Sequence, residues 1–515
     1  MIPAVIAAAA LALQGGDRGQ IAVIVADSTI MQSGDPFPMN GRSLLFAPGG
    51  GYRVTTGPLI VEPDKGTFSK PGPLDPVAID LPFDFPFFGK TYRTAYVYYF
   101  GVVTFERMAE PEDRTYVEAM QRQPPLIAAL WHSAQPYDTG SGMFVNRSLR
   151  DRVVITWNRL LAAQEPGITV TYQLTLFRGG GVRIAYIDMQ QAEGLVGLGL
   201  GITDDRAEEV RLLDTRNRVF TRSFTEWYKL PEYDARAVAR AFYRVHPDVF
   251  DALAVYENFP ATHVAVTSHI PVRNDVRGIG LELEDHTAEY GSAGRLQSVL
   301  EMNRLAFLTD TNGSGILAHE LGHTWLANVS FMDDGQKSRE LVDAGRHWCD
   351  YFDTRIPGRT VHGFPAHSFM FGTMWTEPRP GEFLDGISTP GGYSPLDLYL
   401  MGLLSADSVP DMFYIASRPG QQPECRDRTM GRTTGTRRVV TIRDIIAAEG
   451  PRQPDLAHSP KAFRVGFVLL TLPGSSPTAD EVAKLEGVRR SFERDFAVYT
   501  GGRGSLDTRL IASPP

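Results

Sequence analysis

GILAHELGHTW, residues 315–325, places two histidines four positions apart with a glutamate directly after the first. On a helix, positions i and i+4 share one face, so His319 and His323 can offer their imidazoles to a single cation while Glu320 lies on the adjoining face. Leu317, Leu321, Trp325 and Val329 cover the other faces, the pattern of a buried helix, and Ser314 is placed to cap it. A glycine inside a helix costs about 1 kcal/mol relative to alanine, so Gly322 predicts a close approach at that point.

The chemistry requires this arrangement. Zinc held by a few protein ligands lowers the pKa of bound water, and a nearby carboxylate that does not ligate takes the proton during attack on a carbonyl. His319 and His323 are therefore expected to bind Zn2+, with Glu320 as general base. For the third ligand the chain offers Asp343 and His347 within RELVDAGRHWCDYF (residues 339–352) and Asp397 within YSPLDLYLMGLL (residues 393–404). If residues 343–347 are helical, Asp343 could instead orient His347 as a hydrogen-bond acceptor. Met401 and Gly402 suggest a methionine-bearing turn or helix under the metal. Tyr393, Tyr399, His362 and His367 are candidate donors to a tetrahedral oxyanion.

Outward from the motif, the chain divides. At 515 residues it is too long for one core, and 43% hydrophobic with 22% charged residues describes a soluble globular protein. The net charge of −9, without a run of lysines or arginines, argues against nucleic-acid partners. Residues 20–230 alternate apolar and polar positions in short runs such as RVVITWNRLL and GVRIAYIDM between turn residues, predicting an all-β sandwich over 13–230. Beyond residue 230 the pattern changes. YDARAVARAFYRV reads as a helix, ALAVYEN and THVAVTSHI as strands, and YGSAGRLQSVLEMNRLAFL and ILAHELGHTWLANVSF as helices, so an α+β domain is expected over 231–515.

The first residues, MIPAVIAAAALALQGG, end an apolar run in Ala10-Leu11-Ala12, which predicts a signal peptide over 1–12 and a secreted or periplasmic protein. No segment reaches the roughly 20 apolar residues of a transmembrane helix. Cys349 and Cys425 could pair if their Cα atoms stand roughly 4.4–6.8 Å apart.

Two resemblances add to this reading. The run LPFDFPFFGKTYRTAYVYYFGVVTFE (residues 81–106), then PPLIAALW, VVITWNR and GGGVRIAYIDM, resembles the nidogen-like β-sandwich modules of extracellular proteins, although YYFGVV lacks their usual asparagine before the glycine. That likeness implies binding to a cell-surface or matrix component. HELGHTW, the following HW and YSPLDLYLMG together resemble secreted bacterial zincin-type metallopeptidases across residues 235–405. This implies a protein or peptide substrate, His319 and His323 as ligands and Glu320 as base; His347 is the preferred third ligand, ahead of Asp397 and Asp343. HELGHTWLANV is also similar to the helix of zinc aminopeptidases, but that family's downstream glutamate ligand is here Val342. The competing expectation is a non-catalytic adhesion protein with a structural metal.

Overall fold

The computed structural model describes residues 15–511 apart from 33, 35, 36, 70, 73, 110, 112–116, 137, 138, 163–168, 190–192, 204, 205, 216, 217, 262–265, 308–312, 417–424 and 426–430. The expected signal peptide and the start of THVAVTSHI lie outside the described residues. The described residues form two units, one within 32–232 and 260–266, the other within 15–31, 233–259 and 267–511.

The first unit is built from two large, mainly antiparallel sheets that share one core. Strand Val77–Phe87 shows why: its even steps put Ile79, Leu81, Phe83, Phe85 and Phe87 inward, while the intervening residues are exposed. Trp157, Tyr172, Leu174, Ile184 and Tyr186 from the other sheet meet these aromatics in the same cluster. The result is sandwich-like, as the period-2 runs predict. A second cluster, containing Tyr98, Phe100, Met120, Leu126 and Trp131, includes residues of the helix Ala119–Arg122.

The second unit is organised by a mixed sheet. Strands Ile21–Val25, Ala462–Thr471, Ala252–Glu257 and Ser298–Arg304 run parallel in that spatial order, and Ser268–Pro271 closes the edge antiparallel to Ser298–Arg304. Every residue of Ala252–Glu257 is buried, the continuous apolar character of a parallel strand covered on both faces. Helix Gly313–Gly322 packs against Ser298–Arg304 and against the long helix Ala479–Tyr499, whose capping box joins Thr478 to Glu481. Three small sheets are formed by strands from Trp348–Asp353 to Thr436–Val440.

Three expectations change. Residues 298–304, read as helix, form a strand because they are paired on both sides, by Ala252–Glu257 and Ser268–Pro271. The helix of the histidine motif ends at Gly322 rather than running on to Phe331. The first described residues do not belong with the sandwich: Ala22 pairs with Val468 and Val23 with Leu469, which draws residues 15–31 into the second unit's sheet.

Candidate metal centre

His319 and His323 come together because the motif does form a helix, Gly313–Gly322, and the His323 N–H still bonds the His319 carbonyl at 3.3 Å. Leu317, Leu321, Trp325 and Val329 are all buried, and beside them His323 is buried and His319 half-buried. Ser314 lies inside the first turn rather than capping it; its hydroxyl bonds Tyr499 Oη at 2.7 Å and Asp495 Oδ2 at 3.2 Å, tying the ligand helix to Ala479–Tyr499. The close approach predicted at Gly322 is to Met370, since a Cβ there would stand 2.6 Å from its Sδ. The methionine against this helix is thus Met370. Met401 instead ends helix Pro395–Leu400.

The two Nε2 atoms are 3.3 Å apart. Two nitrogens bonded to one tetrahedral zinc at about 2.0–2.1 Å stand about 3.3–3.4 Å apart, so the pair already has ligand spacing. His347 completes the group. One nitrogen of each of His319, His323 and His347 lies within 4.8 Å of the others, and among the described residues this is the only group of three or more potential ligands so placed. The cluster can hold a metal ion.

Outer contacts orient each ring. His319 Nδ1 stands 2.7 Å from the Phe369 carbonyl, which only accepts, so Nδ1 carries the proton and Nε2 keeps its lone pair. His347 Nδ1 is 3.5 Å from Asp343 Oδ2, while Asp343 Oδ1 accepts the His347 backbone N–H at 2.8 Å. Residues 343–347 form a turn rather than a helix, closed by the Asp343 N–H to the His347 carbonyl at 2.9 Å, yet Asp343 still backs His347. At the helix end, Arg346 donates to the His323 carbonyl at 2.8 Å and to Asn328 Oδ1 at 2.9 Å. Burial holds the His323 pKa far down, and the neighbouring His319, His269, His347 and Arg346 disfavour a second positive charge there. A neutral imidazole is the form a metal needs.

Glu320 is 3% exposed and accepts a short hydrogen bond, 2.5 Å, from the Thr267 hydroxyl. Burial pushes its carboxyl pKa up to about 7; the Thr267 bond opposes this and the Glu301 charge adds to it. A carboxyl poised near neutrality suits proton transfer. Thr267 immediately precedes the edge strand. Ser268 there bonds Glu301 Oε2 at 2.6 Å, and His269 Nε2 lies 3.2 Å from the Thr324 hydroxyl.

Asp397 is not among the ligand group. It is fully buried as the third residue of a capping box begun by Ser394, and it accepts from Trp348 Nε1 at 2.7 Å, Ser368 Oγ at 2.6 Å and the Ser394 N–H at 2.7 Å. The oxyanion candidates are engaged elsewhere or exposed. Tyr393 donates to the Ala318 carbonyl at 2.7 Å, Tyr399 Oη accepts the Arg452 N–H at 3.1 Å, and His367 Nδ1 lies 3.1 Å from the Ser368 carbonyl. His362 sits exposed between two paired strands with φ of +50°.

Sequence reading missed Phe369, Met370, Arg346 and Thr267, which act through a carbonyl, a sulfur, a guanidinium and a hydroxyl that no motif spells. Cys349 and Cys425 form a disulfide with Cα atoms 5.0 Å apart, two residues beyond His347. A cavity of about 600 Å³ lined by Phe352, Arg355, Trp375, Phe413 and Arg437 includes none of the three histidines. The donor geometry, rather than cavity size, identifies the candidate centre. No helix among the described residues is long and apolar enough to cross a membrane.

Residues 74–240 match the family model described as NIDO related, which supports the nidogen-like character of the β-rich N-terminal region. No curated protein matches the chain, and no solved structure does.

Proposed function

We propose that the chain is a zinc-dependent peptidase that works outside the cytosol and hydrolyses peptide bonds with Glu320 as general base. The observation that carries this reading is the 3.3 Å separation of His319 and His323 Nε2, with His347 closing a three-histidine group beside a carboxyl that is not one of its members. Three protein ligands leave a coordination position open, whereas structural zinc is usually closed by four. A zinc ion bound there would supply Lewis acidity to a water and to a substrate carbonyl.

The chain's own groups then have distinct tasks. Phe369 and Asp343 hold the rings of His319 and His347 in their ligating orientation. Glu320 takes a proton from the attacking water and returns it to the departing amine, with Thr267 holding one of its oxygens. Strand Ser268–Pro271, at the edge of the sheet, gives an extended peptide a backbone to pair with. This is the layout that the zincin-type resemblance implies. The disulfide suits an oxidising compartment such as the periplasm or the extracellular space.

The NIDO-related match favours a second reading, a surface-binding protein whose metal only stabilises the fold. One experiment separates the two. Zinc-loaded wild type and Glu320→Gln are compared for metal content and for cleavage of a random peptide pool. Under the hydrolase reading the variant keeps its zinc and loses about 10²–10⁴-fold in turnover. A wild type that holds zinc and cleaves nothing in the pool removes the peptidase reading.

A further inference from the structure

Phe371 combines three properties around the imidazole cluster. Its ring centroid lies 5.1 Å from that of His319 and 4.6 Å from that of His347. It is 37% exposed, unlike the buried Phe369 and Met370 that precede it. Its φ is +68°, a region that bulky side chains avoid. The conformation is enforced from below: the Thr354 hydroxyl donates to the Phe371 carbonyl at 2.9 Å, and a Cβ on Gly372 would stand 2.4 Å from Thr354 Cγ2. On the other side, the Met370 carbonyl accepts the Trp348 N–H at 2.8 Å, and its N–H donates to Ser368 at 2.9 Å. Both flanks fix the backbone, so the ring is presented rather than left to wander. Backbone strain of this kind persists where the surroundings over-determine it, and it gathers at functional sites.

We propose that Phe371 is the specificity-determining residue of this centre, its ring forming the platform for an apolar, preferentially aromatic, side chain of the substrate residue next to the cleaved bond. The inference rests on the hydrolytic reading of the metal site. A substrate carbonyl directed at the open coordination position brings its neighbouring side chain beside the two histidine rings that Phe371 flanks, and aromatic rings pair favourably at centroid separations of about 4.5–7 Å. The nearby cation that would favour an acidic side chain, Arg346, is directed to the His323 carbonyl and Asn328.

The test uses two metal-chelating probes, acetohydroxamate and 3-phenylpropanohydroxamate, titrated against the zinc-loaded full chain, with zinc content measured in every variant. The phenyl compound is expected to bind wild type about tenfold more tightly than the acetyl compound. Phe371→Ala should bring that ratio close to one at unchanged zinc content, and Phe371→Leu should leave it in between. Phe371→Leu alone decides the matter if Phe371→Ala does not fold. Equal binding of both probes to wild type, or a ratio that survives the substitutions, overturns the proposal. If zinc is bound and neither probe binds, the open-site reading itself falls, and this proposal with it.

Discussion

Trp348 Nε1 donates to Asp397 Oδ1 at 2.7 Å, and through this bond a residue adjoining His347 is anchored to the capping box of a helix 49 positions later. The other oxygen of Asp397 accepts from Ser368, adjoining Phe369, whose carbonyl orients His319. A single buried carboxylate therefore ties together the segments that position two of the three histidines.

Asp397→Ala should destabilise the second unit by about 3–5 kcal/mol, because three buried donors lose their acceptor at about 1–3 kcal/mol each, and cavity relaxation offsets part of that sum. Asp397→Asn retains an acceptor oxygen and should cost less. Both variants, once folded, should bind zinc. Urea unfolding together with zinc content checks this; a folded Asp397→Asn protein that cannot bind zinc would return Asp397 to the ligand set.

Asp343 backs His347 with one oxygen and holds its backbone N–H with the other. Asp343→Asn should weaken zinc binding about 10–100-fold, the usual cost of losing such a supporting carboxylate. His347→Ala should weaken it further, since a ligand goes rather than its support. Competition against a chromophoric chelator reads both affinities. Equal affinity of Asp343→Asn and wild type would show the contact to be incidental.

The N-terminal unit carries a pH dependence of its own. His132 is buried and its Nε2 has no hydrogen-bond partner; burial lowers its pKa to about 4, with a backbone bond at Ser133 opposing. The unfolded chain, with a histidine pKa of about 6.5, takes up the proton first as pH falls, so the stabilisation is complete above about pH 7 and is lost between about 6.5 and 4. The loss is on the order of 3 kcal/mol. Urea midpoints at pH 7.5 and 4.5 should show it, and His132→Leu should reduce the difference. An unchanged difference in that variant would assign the effect to other groups.

Legibility in the sequence followed the range of the contacts. The pair His319 and His323 was readable because four residues make one helical turn, whereas Gly322, expected inside the helix, is its last residue and the close approach there is to Met370. The sandwich strands were readable because alternation is local, as in Val77–Phe87. The third ligand was one of three open choices, since nothing local says that the turn at residues 343–347 aims His347 at the helix. Asp397 was readable in principle: Ser394-Pro395-Leu396-Asp397 spells a capping box, which already engages the carboxylate. Residues 298–304 misled because Leu, Glu and Met favour helix, whereas strand partners on both sides decided otherwise. Phe371 was not readable, because neither its strained φ nor its exposure has a signature in residue type.

The pairing of Ala22 with Val468 has a consequence for how the molecule is made. At a synthesis rate of about 5–20 residues per second, Ile21–Val25 waits roughly 20–90 s for Ala462–Thr471 to be translated. Residues 32–232 emerge complete during that interval and hold their own core, so they can fold before Ala22 and Val468 are joined. Assembly of the histidine-bearing body is thus a late event. A chain interrupted before residue 468 would carry all three histidines without the central strand of the sheet behind them.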